Sequence, residues 1–269
     1  MKKMNNSKKK LKVFSLILCI IVIIILSFFT IKNILYPKIF TSGIKSVNNT
    51  VNKKKFDTDV VGWLKVQGTN INYPVIYNSD DYSVDSFNLD DFLWTNKNSK
   101  KLENRMFVIG HNILNSSSQP LITDKNHTRF EQLLSFVYYD FAKDNEYVQF
   151  TIDGRDYVYK IFSISFVHDS DVDYYSNSFS KDELNKYINK SLKDSFYKYD
   201  VSVSKDDKVI TLLTCTRMFG EYSDYMFKID ARLVHKNEFR NKYKITKKSN
   251  YKKISKILEG DVENENNKA

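Results

Sequence analysis

An uncharged apolar run near the N terminus, Val13 to Ile31, is the feature that most restricts how this chain can fold. As an α-helix its 19 residues would rise about 28 Å, which is close to the hydrocarbon thickness of a bilayer. A cleaved signal peptide is the competing interpretation, but the run is long for one and no small-x-small cleavage site follows it. We therefore expect an uncleaved transmembrane signal anchor over residues 13–36, preceded by a basic cytoplasmic segment, residues 1–12.

The charge distribution predicts the orientation of this anchor. Residues 1–54 contain 11 Lys or Arg and no acidic residue, residues 55–235 contain 21 against 27, and residues 236–269 contain 10 against 5. Lysines before the apolar run keep that end in the cytoplasm, so we expect residues 37–269 outside the cell, beside the membrane lipid. Because the central part is acidic, the net charge of +10 does not indicate a folded nucleic-acid-binding face, and we expect no nucleic-acid partner.

The predicted export changes the meaning of the two cysteines. Cys19 lies inside the apolar run, and Cys215 ends the strand-like stretch Val209 to Thr216. A small apolar core residue is one interpretation of Cys215, since most free cysteines are of that kind. Unpaired cysteines are uncommon outside the cell, however, so a single one favours a reactive thiol at the end of a rigid strand.

The central part of the chain has the pattern of short strands with inserted helices. Asp153-Gly154 between two alternating runs predicts a hairpin, and Thr128–Glu131 and Ser180–Glu183 both fit helix capping boxes. About eight strands with two or three peripheral helices predict a mainly antiparallel, closed β-barrel. The strand-like runs are Trp63–Val66, Ile71–Ile76, Met106–Ile109, Tyr147–Ile152, Tyr157–Phe166, Val209–Thr216 and Met226–Val234.

Composition sets the outer boundaries of this domain. We expect a stalk or short helix over residues 37–55, the folded domain over residues 56–235 and a basic C-terminal tail over residues 236–269. Its Lys and Asn content predicts a solvated tail with a frayed helix. A basic arm resting on an anionic envelope polymer or on lipid headgroups is the alternative.

A thiolate needs a nearby base or acid, and one histidine stands out for that role. His111 closes the strand Met106–Ile109, after a glycine that leaves space and before Asn112. His127, His168 and His235 have the setting of surface residues. The acids around His168 (Asp169, Asp171 and Asp173) occupy one short segment, so we expect no metal site there and no cofactor.

Thr211-Leu-Leu-Thr-Cys215, preceded about a hundred residues earlier by Gly110-His111-Asn112, resembles the sortases, membrane-anchored cysteine transpeptidases of Gram-positive bacteria. Trp63-Leu64 and Thr69 to Val75 are similar to the start of the class B sortase domain. The helix-bearing link between Phe166 and Val209 resembles the helix that class B enzymes insert. The resemblance spans about residues 56–234 and implies an eight-stranded sortase barrel, with one helix in the long connection before the cysteine strand.

The resemblance also implies a reaction. Cys215 would attack the carbonyl after the threonine of an Asn-Pro-x-Thr type sorting motif in a secreted protein, forming a thioester. His111 would protonate the leaving amine and then take a proton from the incoming amine of a peptidoglycan precursor. Thr214 would line the substrate groove, and we also expect Asn112 and Met226 to contact the substrate.

One position departs from the sortase pattern. The family carries an arginine on the strand after the cysteine, five residues before a small residue, and taking Ala231 as that residue places Met226 at the arginine position. We hypothesise that Arg217 supplies the missing cation by curling back toward the thiolate. Lys228, on the same strand face as Met226, is a second candidate, whereas Arg232 is expected to lie too far along the strand.

Two alternatives stay open at this stage. Another envelope thiol enzyme, such as an L,D-transpeptidase or a cysteine peptidase, would show a histidine close before the cysteine or a cysteine starting a helix, and neither pattern is present. The second alternative is a catalytically weak or silent, membrane-tethered sortase-like binding domain. Its best support is the methionine at position 226, where the family pattern has an arginine.

Overall fold

The structure is a computed structural model that describes residues 14–27, 60–77, 93–95, 101–112, 129–171, 178–220, 223–235, 238 and 244–266. Residues 14–27 form helix α1, whose side chains are exposed. Within the described ranges, no helix has the length and apolar content needed to cross a membrane. The other residues of the predicted anchor, and the whole predicted stalk at 37–55, lie outside the described residues.

A closed barrel forms the centre of the fold. Its strands follow the spatial order β1-β2-β3-β4-β8-β9-β6-β5, and β5 pairs with β1 to close the sheet. The pairs β2–β3 and β4–β8 are parallel, and the remaining pairs are antiparallel. Seven strands have five or more residues and β3 has three, so the prediction of a mainly-β barrel is confirmed. The strands are β1 (Val60–Val66), β2 (Asn72–Tyr77), β3 (Leu93–Thr95), β4 (Arg105–Ile109), β5 (Tyr147–Ile152), β6 (Arg155–His168), β8 (Val209–Cys215) and β9 (Tyr225–Leu233).

Side-chain alternation gives this barrel an interior and an outer face. On β8, Ile210 and Leu212 belong to the main apolar core, whereas Leu213 belongs to a second apolar cluster on the other face. The predicted hairpin joins β5 to β6 through Asp153 and Gly154, which have φ values of 51° and 66°. Positive φ at both central residues matches the type I′ turn, which suits the twist of paired strands.

Helices α2 (Tyr139–Asp144) and α3 (Lys181–Asp194) lie in the connections between strands. The capping box at the start of α3 is confirmed, because Ser180 and Glu183 bond each other's backbone N–H groups. The capping box expected at Thr128–Glu131 is not seen, since Thr128 lies outside the described residues and a 3₁₀ helix, Glu131–Val137, starts from Phe130 without a side-chain cap. All its residues are buried, so tertiary packing sets its conformation.

The C-terminal part is packed where a solvated tail was expected. Strand β10 (Ile245–Lys247) pairs with β7 (Tyr197–Tyr199), and helix α4 (Tyr251–Asn266) follows. Ile245 and Ile254 are buried in the main core. The tail prediction is therefore wrong for this segment, because a few apolar side chains spaced among lysines are enough to dock it on the aromatic rings beside α3.

Candidate active site

Parallel pairing brings the two predicted catalytic strand ends to one edge of the barrel. Ile109 of β4 lies opposite Leu213 of β8, and the Gly110 N–H donates to the Leu213 carbonyl at 3.2 Å. Two residues further along each strand come His111 and Cys215. Cys215 is still within β8 and shares the strand face of Leu213, which belongs with Ile109 to the outer apolar cluster, whereas His111 follows the end of β4 by two residues. The register therefore places positions 111 and 215 at the same edge of the barrel, and their catalytic roles stay predictions.

Close packing fixes the chain just before His111. A Cβ on Gly110 would lie 2.5 Å from Leu93 Cδ2 and 2.7 Å from the Phe130 ring, so only glycine fits there. The Thr214 hydroxyl donates to the Gly110 carbonyl at 2.7 Å, and the Phe130 N–H donates to the His111 carbonyl at 3.2 Å. The space predicted at this glycine is therefore filled by the core.

Cys215 is the one exposed residue of an otherwise buried strand. Its thiol is free. Protein packed around the remaining sides of the thiol raises its pKa above the ordinary value, Asp169 raises the pKa further, and the charge of Arg217 lowers it. Two opposite charges thus act on the thiol, and the thiol form is favoured in the free protein.

Met226 lies directly across the sheet from Cys215. Its side chain is only 6% exposed, and it packs in the outer apolar cluster with Ile76, Phe107, Ile109, Val167 and Leu213. At the position where the resemblance implies an arginine, the outer face of the barrel is therefore apolar.

Two of the three candidate cations are occupied elsewhere. Lys228 Nζ lies 3.1 Å from an Asp230 carboxylate oxygen and 3.0 Å from the Ser191 hydroxyl. Arg232 lies on β9 opposite Val209, at the end of β8 far from Cys215, and its guanidinium donates to the carbonyls of Ser202 and Leu233 at 2.7 and 3.0 Å. The expectation that Arg232 lies too far along the strand agrees with this register.

Arg217 lies in the loop directly after Cys215. The residues on both sides of Arg217 hold this loop in place. The Met218 N–H donates to the Thr216 hydroxyl at 3.2 Å, and Met218 is buried in the main core. The Gly220 N–H donates to the Arg217 carbonyl at 3.0 Å. The Phe219 ring packs 4.8 Å from the rings of both Phe166 and Tyr225. These contacts hold the loop at the thiol end of the barrel.

Thr214 and Asn112 make hydrogen bonds within the protein, and their contact with the substrate stays a prediction. Thr214 is fully buried, and its hydroxyl donates to the Gly110 carbonyl. Asn112 is 8% exposed and donates its side-chain amide to the Cys215 carbonyl at 3.0 Å. Thr214 lies on the face of β8 opposite Cys215, because neighbouring side chains in a strand alternate.

Asp169 is the residue near the thiol that sequence reasoning missed. The sequence places it with His168 in a short acidic segment, and only the β6–β9–β8 register brings that segment to the thiol. His168 Nδ1 lies 2.8 Å from the Ser170 hydroxyl, and His235 lies 3.7 Å from Glu238. His127 is outside the described residues, and the described part of the chain contains no cluster of three or more side chains that could hold a metal.

A barrel with an exposed thiol at the end of β8 and an imidazole at the end of the neighbouring parallel strand has the groups of a cysteine acyltransferase. The family model of the sortase domain matches residues 64–236, which is more than half of the chain. The chain therefore belongs to the sortase family, and it is a cysteine transpeptidase of the sortase type.

Its relatives are of class B. The chain is 24% identical over 179 residues to sortase B of Staphylococcus aureus, covering 62% of this chain and 68% of that protein. It is 24% identical over 194 residues to sortase B of Listeria monocytogenes, covering 68% and 73%. The X-ray structure of Clostridium perfringens sortase B matches with a TM-score of 0.56 and 25% identity, covering 68% of this chain and 98% of that one. These matches confirm the predicted class B resemblance.

Proposed function

We propose that this enzyme cleaves an Asn-Pro-x-Thr type sorting motif near the C terminus of secreted proteins and joins the threonine carbonyl to an amine of a peptidoglycan precursor. The observation that carries the proposal is the parallel register of β4 and β8, in which His111 and Cys215 follow the paired residues Ile109 and Leu213. A thiol and an imidazole at the ends of neighbouring parallel strands are the two groups that such a reaction needs as nucleophile and proton carrier.

The first half of the reaction uses both groups. The Cys215 thiolate attacks the threonine carbonyl carbon, and the carbonyl oxygen becomes an oxyanion. As the C–N bond breaks, imidazolium His111 gives its proton to the leaving amine, and a thioester remains on Cys215. Since the thiol pKa is raised in the free protein, ionisation at neutral pH depends on transfer of the thiol proton to His111.

The second half reverses these roles. The acceptor amine attacks the thioester carbonyl, neutral His111 takes the proton released from the nitrogen, and the thiolate leaves as the new amide forms. The pair then returns to its starting protonation state. The products are the substrate protein joined to the acceptor and the Cys215 thiolate, with imidazolium His111 beside it.

Arg217 is the cation that we propose for the oxyanion. It is two residues from Cys215, its charge lowers the thiol pKa, and Lys228 and Arg232 make other contacts. A guanidinium on the anchored loop after Cys215 would compensate for the apolar residue Met226.

The apolar run at residues 13–31 and the lysines before it support a reaction at the outer surface of the cell membrane. We propose a single-pass membrane protein with a cytoplasmic N terminus and an extracellular catalytic domain. Confinement of enzyme, exported substrate and lipid-linked acceptor to one surface would raise their effective concentrations. Protease treatment of intact cells should remove an epitope at the C terminus and leave one at the N terminus, and the reverse pattern would refute this orientation.

The reaction can be tested with the full chain in detergent micelles. A library of Asn-Pro-x-Thr-x peptides is added without acceptor, and Cys215 is examined by mass spectrometry for the acyl adduct. We expect a thioester with native protein, none with Cys215→Ala, and a much slower reaction with His111→Ala. A glycine-based amine should then release the adduct as a new amide. If no peptide acylates Cys215 while iodoacetamide still alkylates it, the proposal fails and the silent binding domain is favoured.

A further inference from the structure

Asn112 occupies the place of a missing backbone hydrogen bond between the two strands of the active site. Along the parallel β4–β8 ladder, the Gly110 N–H donates to the Leu213 carbonyl at 3.2 Å. The next bond of the same kind would run from the N–H of residue 112 to the carbonyl of Cys215. Instead, the Asn112 side-chain nitrogen Nδ2 donates to that carbonyl at 3.0 Å.

The side chain makes this bond from a buried position. Asn112 is 8% exposed, and its Oδ1 has no hydrogen-bond partner in the described part of the chain. The amide orientation follows from chemistry, because only the nitrogen can donate to a carbonyl. Within the described part of the chain, the bond to the Cys215 carbonyl is therefore the hydrogen bond that the Asn112 side chain makes.

The bond matters because the backbone leaves the ladder at His111. Strand β4 ends at Ile109, and the His111 carbonyl accepts a hydrogen bond from Phe130 rather than from β8. Without the Asn112 bond, the last link between the two strand ends would be at Gly110 and Thr214. The imidazole and the thiol would then each lie one residue beyond the last fixed point.

We propose that Asn112 is a positioning residue that holds the backbone of Cys215 to the backbone after His111 and so sets the separation of imidazole and thiol. This inference rests on the proposed pairing of those two groups. It replaces the sequence-based expectation of a substrate contact at Asn112. Reacting groups misplaced by about 1 Å can cost about a hundredfold in rate, so one such bond can control catalysis.

The test compares Asn112→Asp and Asn112→Ala in the full chain. Asn112→Asp keeps the shape but removes the donor, and Asn112→Ala removes the group. We expect kcat for thioester formation to fall about ten- to hundredfold in both, with KM changed less than about twofold. Asn112→Gln keeps an amide donor and should recover part of the rate. If Asn112→Asp does not fold, Asn112→Ala carries the comparison.

Ser163→Ala is the matched structural control. It removes another buried hydrogen bond, from the Ser163 hydroxyl to the Ser191 carbonyl at 2.8 Å, away from Cys215. We expect it to lower the melting temperature but leave kcat within about twofold of native. An equal loss of kcat in Ser163→Ala, or an effect of the Asn112 variants on KM alone, would overturn the proposal.

A second readout does not need the peptide reaction. The rate of Cys215 alkylation by iodoacetamide is followed against pH, with N-acetylcysteine in the same solution as the reference thiol. We expect an inflection from the imidazole in native protein that is lost in His111→Ala and reduced in Asn112→Asp. An unchanged inflection in Asn112→Asp would overturn the role of Asn112 even if native protein acylates normally. Absence of acylation in native protein would instead count against the proposed function.

Discussion

Two residues on one strand, Lys228 and Met226, show how differently the outer face of this barrel is built at its two ends. Both project from the same face of β9, two positions apart. Lys228 lies under helix α3 in a buried charged layer with Arg105, Thr211 and Asp230. Met226 lies opposite Cys215 in an apolar cluster. The barrel thus buries a lysine where no chemistry is proposed and has methionine where the thiol would use a cation.

The buried charged layer is possible because each charge has partners. The Lys228 ammonium contacts Asp230 and Ser191, and it lies 4.8 Å from the centre of the Tyr187 ring. The Arg105 guanidinium lies between 4.6 and 4.8 Å from the centres of three aromatic rings, those of Tyr187, Phe107 and Phe179. Asp230 also accepts a hydrogen bond from the Thr211 hydroxyl. The described side chains that pack with Met226 in the outer apolar cluster carry no charge, so none of them would pair with a cation at this position.

The largest expected effect comes from removing the carboxylate of the buried charged layer. Asp230→Ala leaves Lys228 buried without its carboxylate, and we expect the free energy of unfolding to fall by about 3–5 kcal/mol, measured by urea denaturation. A second change, Lys228→Met, in the same protein should recover much of this loss. The exposed pair Lys181–Asp206 is the control, since Asp206→Ala should have no measurable effect. A fall no larger than in that control would show that the buried pair is not coupled to folding.

The next variant introduces a charge on the outer face of the barrel beside Cys215, where the native side chain is apolar. Met226→Arg places a guanidinium opposite Cys215, where it can stabilise the oxyanion, and we expect thioester formation to quicken about tenfold. The gain is smaller than for a preorganised donor because the new side chain disturbs a packed apolar cluster. Met226→Leu keeps that cluster and should change the rate less than about twofold. A slower reaction in the folded Met226→Arg protein would mean that the apolar side chain itself is needed.

Two charges beside the thiol should act in opposite directions on its reactivity. Asp169→Asn removes a group that raises the pKa of Cys215, so the thiolate fraction at pH 7 and the alkylation rate should increase. Arg217→Ala removes a group that lowers this pKa, so both should decrease. The pH dependence of iodoacetamide labelling should move to lower pH in the first variant and to higher pH in the second.

The same two variants separate electrostatics from catalysis. Arg217→Ala should also slow thioester formation, whereas Arg217→Lys should keep part of the rate because the charge remains. Unchanged peptide cleavage by Arg217→Ala would remove Arg217 from the mechanism. Equal labelling profiles for Asp169→Asn and native protein would remove Asp169 from the environment of the thiol.

The smallest expected effect concerns the C-terminal segment that holds α3 over the charged layer. Lys248 donates to the carbonyls of Leu192 and Lys193 at 2.7 and 2.9 Å, and Asn250 donates to Lys193 at 3.1 Å. These donors satisfy carbonyls at the end of a helix. We expect Asn250→Ala to lower stability by about 0.5–1 kcal/mol and to speed amide exchange in the last turn of α3. Lys252→Ala, on the exposed face of α4, is the control and should change neither quantity.

Much of the fold was predictable where the signal is local. The Asp153-Gly154 turn and the Ser180–Glu183 capping box depend on neighbouring residues, and both appear as predicted. The β8 strand is also as predicted, with an exposed cysteine at its end. The 3₁₀ helix Glu131–Val137 was predicted as an ordinary capped helix, because its complete burial depends on distant parts of the chain.

The candidate site shows the same division. Local pattern and resemblance identified His111, Cys215 and the apolar position at Met226. The burial of Thr214, the Asn112 bond and the approach of Asp169 depend on pairings between β4, β6, β8 and β9, which join residues as much as about a hundred positions apart. No local pattern carries that information.

The sequence by itself determined the residues that can do the chemistry, the alternation that forms the strands and the apolar run near the N terminus. Tertiary structure alone decided that the C-terminal segment packs and that Lys228 is occupied by Asp230. It also decided that a side-chain amide completes the sheet at Cys215. The reason is physical, since turn and strand preferences arise between near neighbours, whereas burial, ion pairing and sheet register are set by the elements that meet after folding.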